Sequence, residues 1–185
     1  MRARELFLLM LDHAEGRMSG KTLVQKRAYF LNLLLDLGLS YSPHYYGPYS
    51  AELDTAIGQC KALGFVDEHV TSYGYVSNGF EIKRYDYVLT QDGQIVVDAI
   101  KQREPTLCKR IRSCLDEIRQ AGQLDYVKLS VAAKTVHILL SNRGTLSKHQ
   151  IVEQAKEFGW DISERDVEEV MGFLKKLNVV PAVPD

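Results

Sequence analysis

At 185 residues the chain can fold as one large domain or two small ones, and 45% hydrophobic with 25% charged residues is the balance of an ordinary globular protein. Three cysteines with no C-x-x-C pair argue against a disulfide framework and a zinc ribbon, and for reduced thiols in a cytoplasmic protein. A net charge of −1 falls short of the basic excess of a dedicated nucleic-acid binder, although residues 1–47 and 105–140 are mildly basic.

Residues 4–13 have helical spacing. Their apolar run Leu6-Phe7-Leu8-Leu9-Met10-Leu11 is interrupted by Asp12 and His13 and followed by no small-residue cleavage site, so it reads as a helix rather than a signal peptide. No run approaches the roughly 20 apolar residues that span a bilayer, so no membrane partner is expected. After a turn at residues 15–20, a second helix is expected over residues 21–37, ending at Gly38. Apolar residues cover most of it, leaving Lys21, Gln25, Asn32 and Asp36 as its only polar stripe, which makes it the expected central helix.

Residues 41–50, Tyr-Ser-Pro-His-Tyr-Tyr-Gly-Pro-Tyr-Ser, form an aromatic turn closed by Gly47-Pro48. Pro48 or Ser50 opens a third helix that stops at Gly64. Two β segments follow, residues 65–75 and 80–90, with Ser77-Asn78-Gly79 as a hairpin signal between them. The second runs through Leu89-Thr90-Gln91-Asp92-Gly93 into a helix over residues 95–101. Three helices, a β-hairpin and this closing turn stand in winged-helix order.

Glu104-Pro105 marks a boundary, giving a winged-helix domain at 1–104 and a helical domain at 105–185. The second part opens with a linker helix to Ala121, whose apolar face can pack between the halves or pair with a second copy in a homodimer. Helices over residues 127–140, 147–158 and 163–177 then repeat the helix-turn-helix order, with Ser147/Gln150 and Ser163/Asp166 as capping pairs. Asn178-Val179-Val180 resembles the start of a truncated wing. The expected fold is mainly α with a small β wing: a winged helix-turn-helix, a linker helix and a smaller helix-turn-helix-like unit.

The run Lys21-Thr22-Leu23-Val24-Gln25-Lys26-Arg27-Ala28-Tyr29-Phe30, followed by His44-Tyr45-Tyr46-Gly47-Pro48-Tyr49-Ser50, resembles the YwgA-like family of prokaryotic proteins. It is more distantly similar to the Panacea or SocA-like antitoxin domain, and the likeness covers about residues 1–100. Thr22 and Arg27 stand where such helices commonly carry apolar residues. The resemblance implies an antitoxin-like or defence-associated role through binding and brings no established active site.

The residues themselves point the same way. Tyr45, Tyr46 and Tyr49 are rigid amphipathic rings of the type enriched at protein interfaces, and they equally suit packing as a staple between the second and third helices. The helix that would read DNA offers Glu52, Asp54 and Gln59 against only Lys61, and its counterpart in the second unit begins with Glu164, Asp166, Glu168 and Glu169. A DNA-binding transcription regulator would therefore rely on Arg17, Lys21, Lys26 and Arg27 with Lys83 and Arg84 of the wing, extended by Arg110, Arg112 and Arg119. Glu81-Ile82-Lys83 with Asp67 upstream also matches the acid-x-Lys pattern of metal-dependent nucleases, a short pattern that arises often by chance. Five scattered histidines show no metal-ligand spacing, and neither a phosphate-binding glycine loop nor a nucleophile elbow is present, so no enzyme activity, metal or cofactor is expected. The leading expectation is a non-enzymatic adaptor for a protein partner, with DNA binding as the alternative.

Overall fold

The computed structural model describes residues 1–75, 81–143 and 146–180. The protein is mainly helical with a small antiparallel sheet. Helix α1 (Ala3–His13) is the most enclosed element: every side chain from Leu6 to Leu11 is buried. Six consecutive apolar residues leave a helix no polar face there, so it must lie inside the fold, and α1 rather than the following helix takes the central place.

Strand β1 (Arg17–Ser19) lies where the sequence suggested only a turn. Three residues are too few for an alternating pattern to show, and the partner strand lies far along the chain. Helix α2 (Lys21–Leu35) ends earlier than expected, because Asp36 adopts the left-handed conformation (φ 50°) and donates its N–H to the Asn32 carbonyl at 2.9 Å. Helix α3 (Ala51–Ala62) begins as its serine suggests, with Ser50 Oγ accepting the Leu53 N–H at 3.2 Å.

Strands β2 (Val66–Tyr75) and β3 (Glu81–Leu89) form the hairpin, Val70 opposite Tyr85 and Glu68 opposite Tyr87. The Ser77-Asn78-Gly79 turn lies outside the described residues. Met18 of β1 pairs with Tyr87 on the other side of β3, giving the strand order β1-β3-β2. Helix α4 (Gln91–Arg103) starts a turn earlier than the apolar pattern indicated. Thr90 caps it: its hydroxyl accepts the Gly93 N–H at 3.0 Å and donates to the Gly64 carbonyl at 2.7 Å.

Helices α5 (Pro105–Ala121), α6 (Tyr126–Ser141), α7 (Lys148–Glu157) and α8 (Glu164–Lys176) complete the described chain. Both expected capping pairs form, Ser147 with Gln150 and Ser163 with Asp166. No strand follows at Asn178–Val180 among the described residues. Of the two roles open to α5, packing within the chain is realised. Ile111, Cys114, Leu115 and Ile118 are buried, and α5 lies against α1, α2, α4 and α8. Glu104 ends α4 and immediately precedes α5, so no spacer separates the halves. One core runs across the junction: α2 packs on α5 and α6, and Phe30 meets Phe173 edge-on at 5.3 Å.

Candidate functional site: the aromatic turn

The loop joining α2 to α3 is pinned at its ends, since Ser42 and Tyr49 exchange backbone hydrogen bonds of 3.0 and 2.9 Å. Within it the Gly47 N–H donates to the His44 carbonyl at 2.8 Å. Gly47 has φ 93°, a left-handed conformation that costs glycine little. Side-chain volume is also excluded there. A Cβ would lie 3.0 Å from Lys134 Cγ, 3.5 Å from Lys26 Cε and 3.5 Å from the Ser130 carbonyl, so α6 sits directly against the turn.

Three polar side chains clamp this loop. The Gln25 amide pairs with the Ser50 backbone in both directions, donating to its carbonyl and accepting its N–H, each at 3.0 Å. The Lys26 Nζ donates to the Pro48 carbonyl at 2.7 Å. From the far end of the chain, Trp160 Nε1 donates to the His44 carbonyl at 2.6 Å. Gln25 and Lys26 are 1% and 2% exposed, so the Gln-Lys pair of α2 is an internal strut and not part of a solvated stripe. The burial of these two polar groups is tolerated because each finds a backbone partner.

Burial pushes the Lys26 ammonium down to about 7, with the like charge of Lys134 as a second cause. Lys134 is also lowered by burial, against an opposing pull from Asp161, and its Nζ lies 5.8 Å from the centre of the Trp160 ring. Among the described residues, the Ser130 hydroxyl and the Tyr41 hydroxyl are enclosed without a hydrogen-bond partner.

The three tyrosines fall into two kinds. Tyr49 is anchored: its ring stacks on His44 at 4.9 Å, and burial and then Asp54 push its hydroxyl up to about 12. Lys21 Nζ lies 2.6 Å from the same Asp54 and 6.0 Å from the centre of the Tyr49 ring. Tyr45 and Tyr46 point outward, 72% and 49% exposed, and meet each other edge-on at 4.8 Å. The result is an exposed aromatic pair on a loop whose backbone is held from two directions. Such a surface offers apolar contact and hydroxyl hydrogen bonds, while the Lys26 amine that holds the turn is enclosed.

Most of the cations singled out in the sequence face carboxylates or are enclosed. Arg17 and Arg84 both approach Asp86 Oδ2, at 3.9 and 3.1 Å, and that carboxyl is 2% exposed. Lys21 is paired with Asp54, and Lys83 with Glu81 at 2.5 Å. Lys26 is internal, and Arg27 is half-buried in a cleft bordered by α1 and α5. Arg112 lies 3.9 Å from Asp12 and Arg119 3.0 Å from Asp116. The acid-x-Lys pair stands apart from its upstream acid. Asp67 is opposite Val88 whereas Glu81 is opposite Tyr75, which sets them roughly 20 Å apart along the hairpin at about 3.3 Å per residue. Among the described residues no group of three or more His, Cys, Asp or Glu side chains is placed to hold a metal ion.

Sequence reasoning missed the clamp. Gln25 stood in the polar stripe of α2, Lys26 among the candidate DNA-binding cations, and both in the run that carries the family resemblance, with nothing to say what they would hold; Trp160 lies more than a hundred residues from its acceptor. The one signal available was that the chain's only tryptophan follows Gly159 at a helix end. Set beside known proteins, the chain matches no protein-family model and shows no significant match to a curated protein.

Proposed function

We propose that the chain is a non-catalytic winged-helix binding module, antitoxin-like or a regulatory adaptor, that takes a protein partner on the Tyr45–Tyr46 pair. The carrying observation is the exposure of two contiguous aromatic rings on a backbone held by Gln25, Lys26 and Trp160. Tyrosines on a pre-ordered loop lose little conformational freedom on binding, which is why such residues dominate interface energetics. The winged-helix part of the reading is supported by chain order. A helix, a short strand, two helices and a hairpin follow one another, and the short strand pairs with the returning arm of the hairpin. The likeness of α2 and the aromatic turn to the YwgA-like and Panacea or SocA-like proteins supports the antitoxin-like part.

Transcriptional regulation through DNA ranks second. Arg17, Lys21, Lys83 and Arg84 already face carboxylates, so a phosphate would have to displace an acid at each.

The test is co-purification with the protein encoded beside this one, using the full chain and the Tyr45→Ala/Tyr46→Ala variant. The expected result is a stoichiometric complex with the full chain and an affinity loss of about 2 kcal/mol or more in the variant, at unchanged melting temperature. An equally tight complex in the variant would remove the aromatic pair from the interface. A mobility shift whose affinity falls steeply with salt, with no protein complex formed, would favour the DNA reading.

A further inference from the structure

A second feature lies away from the aromatic turn. A cleft of about 500 Å³ opens between the end of α1, β1, α2 and the turn joining α5 to α6. That volume lies within the range of small-molecule sites. Met10, Met18, Leu115 and Ile118 supply apolar wall, and Arg27 of α2 reaches into the same space.

Arg27 is the unusual member. It is half-buried, and burial is what lowers its proton affinity; no acid opposes that effect. Among the described residues its guanidinium has neither an ion pair nor a hydrogen bond. By contrast Arg17, Arg84, Arg103, Arg112 and Arg119 all lie near carboxylates although they are largely exposed. Taking a guanidinium partly out of water without a counter-charge is unfavourable, and this chain does so at a concave surface.

The acids bordering the cleft are not Arg27's partners. Asp125 caps α6 and accepts the Lys128 N–H at 2.8 Å. Glu15 sits in a left-handed turn (φ 56°) and makes no ion pair with Arg27. On the α5 side, Asp116 Oδ1 holds both His13 Nε2 and Arg119 at 3.0 Å, which fixes two further basic groups at the rim.

We propose that this cleft binds a small amphipathic anion, a carboxylate or phosphate monoester on an apolar body. The Arg27 fork meets the head group, and Met10, Met18, Leu115 and Ile118 receive the body. A planar guanidinium matches both head groups through paired N–H donors, and the apolar wall selects a chain or ring over a bare inorganic ion.

The experiment uses the full chain with octanoate, octyl phosphate, octanol and inorganic phosphate, all below micellar concentrations. Titrations are followed by calorimetry and by the methyl resonances of Met10 and Met18. The expected result is saturable binding of at least one octyl anion, with its affinity falling by at least about tenfold for octanol and for inorganic phosphate. Which octyl anion binds tighter tells a carboxylate site from a phosphate site. Arg27→Met is expected to lose at least about tenfold in anion affinity while the free variant melts no lower than the parent, since an uncompensated charge has been removed. Should that variant not fold, Arg27→Lys serves, keeping the charge without the fork and still weakening the anion. Arg110→Met and Tyr45→Ala/Tyr46→Ala are expected to bind as the parent does, which keeps this site separate from the protein-binding one. Octanol binding as tightly as the anions, anion affinity unchanged in both Arg27 variants, or no saturable binding of either anion would each overturn the proposal.

Discussion

A lysine enclosed in a protein is more informative than one on its surface, because its charge must be accounted for. Lys26 holds the Pro48 carbonyl and takes a proton in the folded state only below about 7. In an unfolded chain a lysine does so up to about 10.4. Between those values the unfolded chain binds a proton that the folded one refuses, so folding stability rises with pH across that window; below about 7 both states are protonated and the penalty is complete. As a neutral amine Lys26 keeps an N–H to donate, so the clamp survives deprotonation. The expected outcome is that the unfolding free energy of the parent, relative to Lys26→Met, increases between pH 7 and 9.5 in urea titrations. A gap that stays flat over that range would show the ammonium to be solvated. Readings stop short of pH 10 because buried Tyr29, Tyr41 and Tyr87 hold their protons in the folded state while unfolded tyrosines ionise, which turns stability downward. None of this was legible from position alone, because a helical wheel places Lys26 and Gln25 without saying what lies across from them.

At the scale of elements, two helical glycines show how differently the same residue type is used. The Leu-Thr-x-x-Gly junction was readable as a strand passing into a helix, and its geometry explains the glycine. A Cβ on Gly93 would lie 2.1 Å from the Phe65 carbonyl oxygen and 2.8 Å from Leu89 Cδ1. Gly93→Ala therefore has to push α4 away from the start of the hairpin. The expected cost in chemical denaturation is about 3 kcal/mol or more, at or beyond the upper end for overpacked cores. Gly58, in α3, has nothing within 4 Å of the same point. Gly58→Ala is expected to stabilise by about 0.5–1 kcal/mol, the ordinary gain of alanine over glycine in a helix. If both changes proved neutral, the close approach at Gly93 would be wrong. Element types were legible where capping serines and long apolar stripes coincide, as in α3, α7 and α8. They were not legible at β1, which exists only because β3 returns beside it.

At the scale of the whole molecule, one hydrophobic core runs across both halves of the chain. Phe30 and Ala28 of α2 are fully enclosed, and α2 finds its partners in α5 and α6 beyond the Glu104-Pro105 junction. A chain ending at residue 104 would leave that side of α2, and the part of α1 that packs on α5, uncovered. Such a fragment is expected to lack fixed tertiary packing, seen as loss of near-ultraviolet circular dichroism and of a cooperative melting transition. A sharp two-state transition in the fragment would establish it as an independent domain. The aromatic turn is joined across the halves too, because the Trp160 hydrogen bond to His44 ties that loop to the second half.

The sequence by itself determined the mainly helical composition, the hairpin, the helix caps and the presence of an aromatic turn at Gly47-Pro48. These follow from local chemistry: periodicity, capping hydroxyls and the backbone preferences of glycine and proline. Only the tertiary structure decided that α1 is the innermost helix, that Tyr49 is anchored while Tyr45 and Tyr46 face solvent, and that Gln25, Lys26 and Trp160 hold the turn. It also decided that Arg27 lines a cleft with no counter-charge among the described residues. Each of these depends on which distant residue lies across a given surface, and burial of a polar group takes its meaning from the partner it finds there.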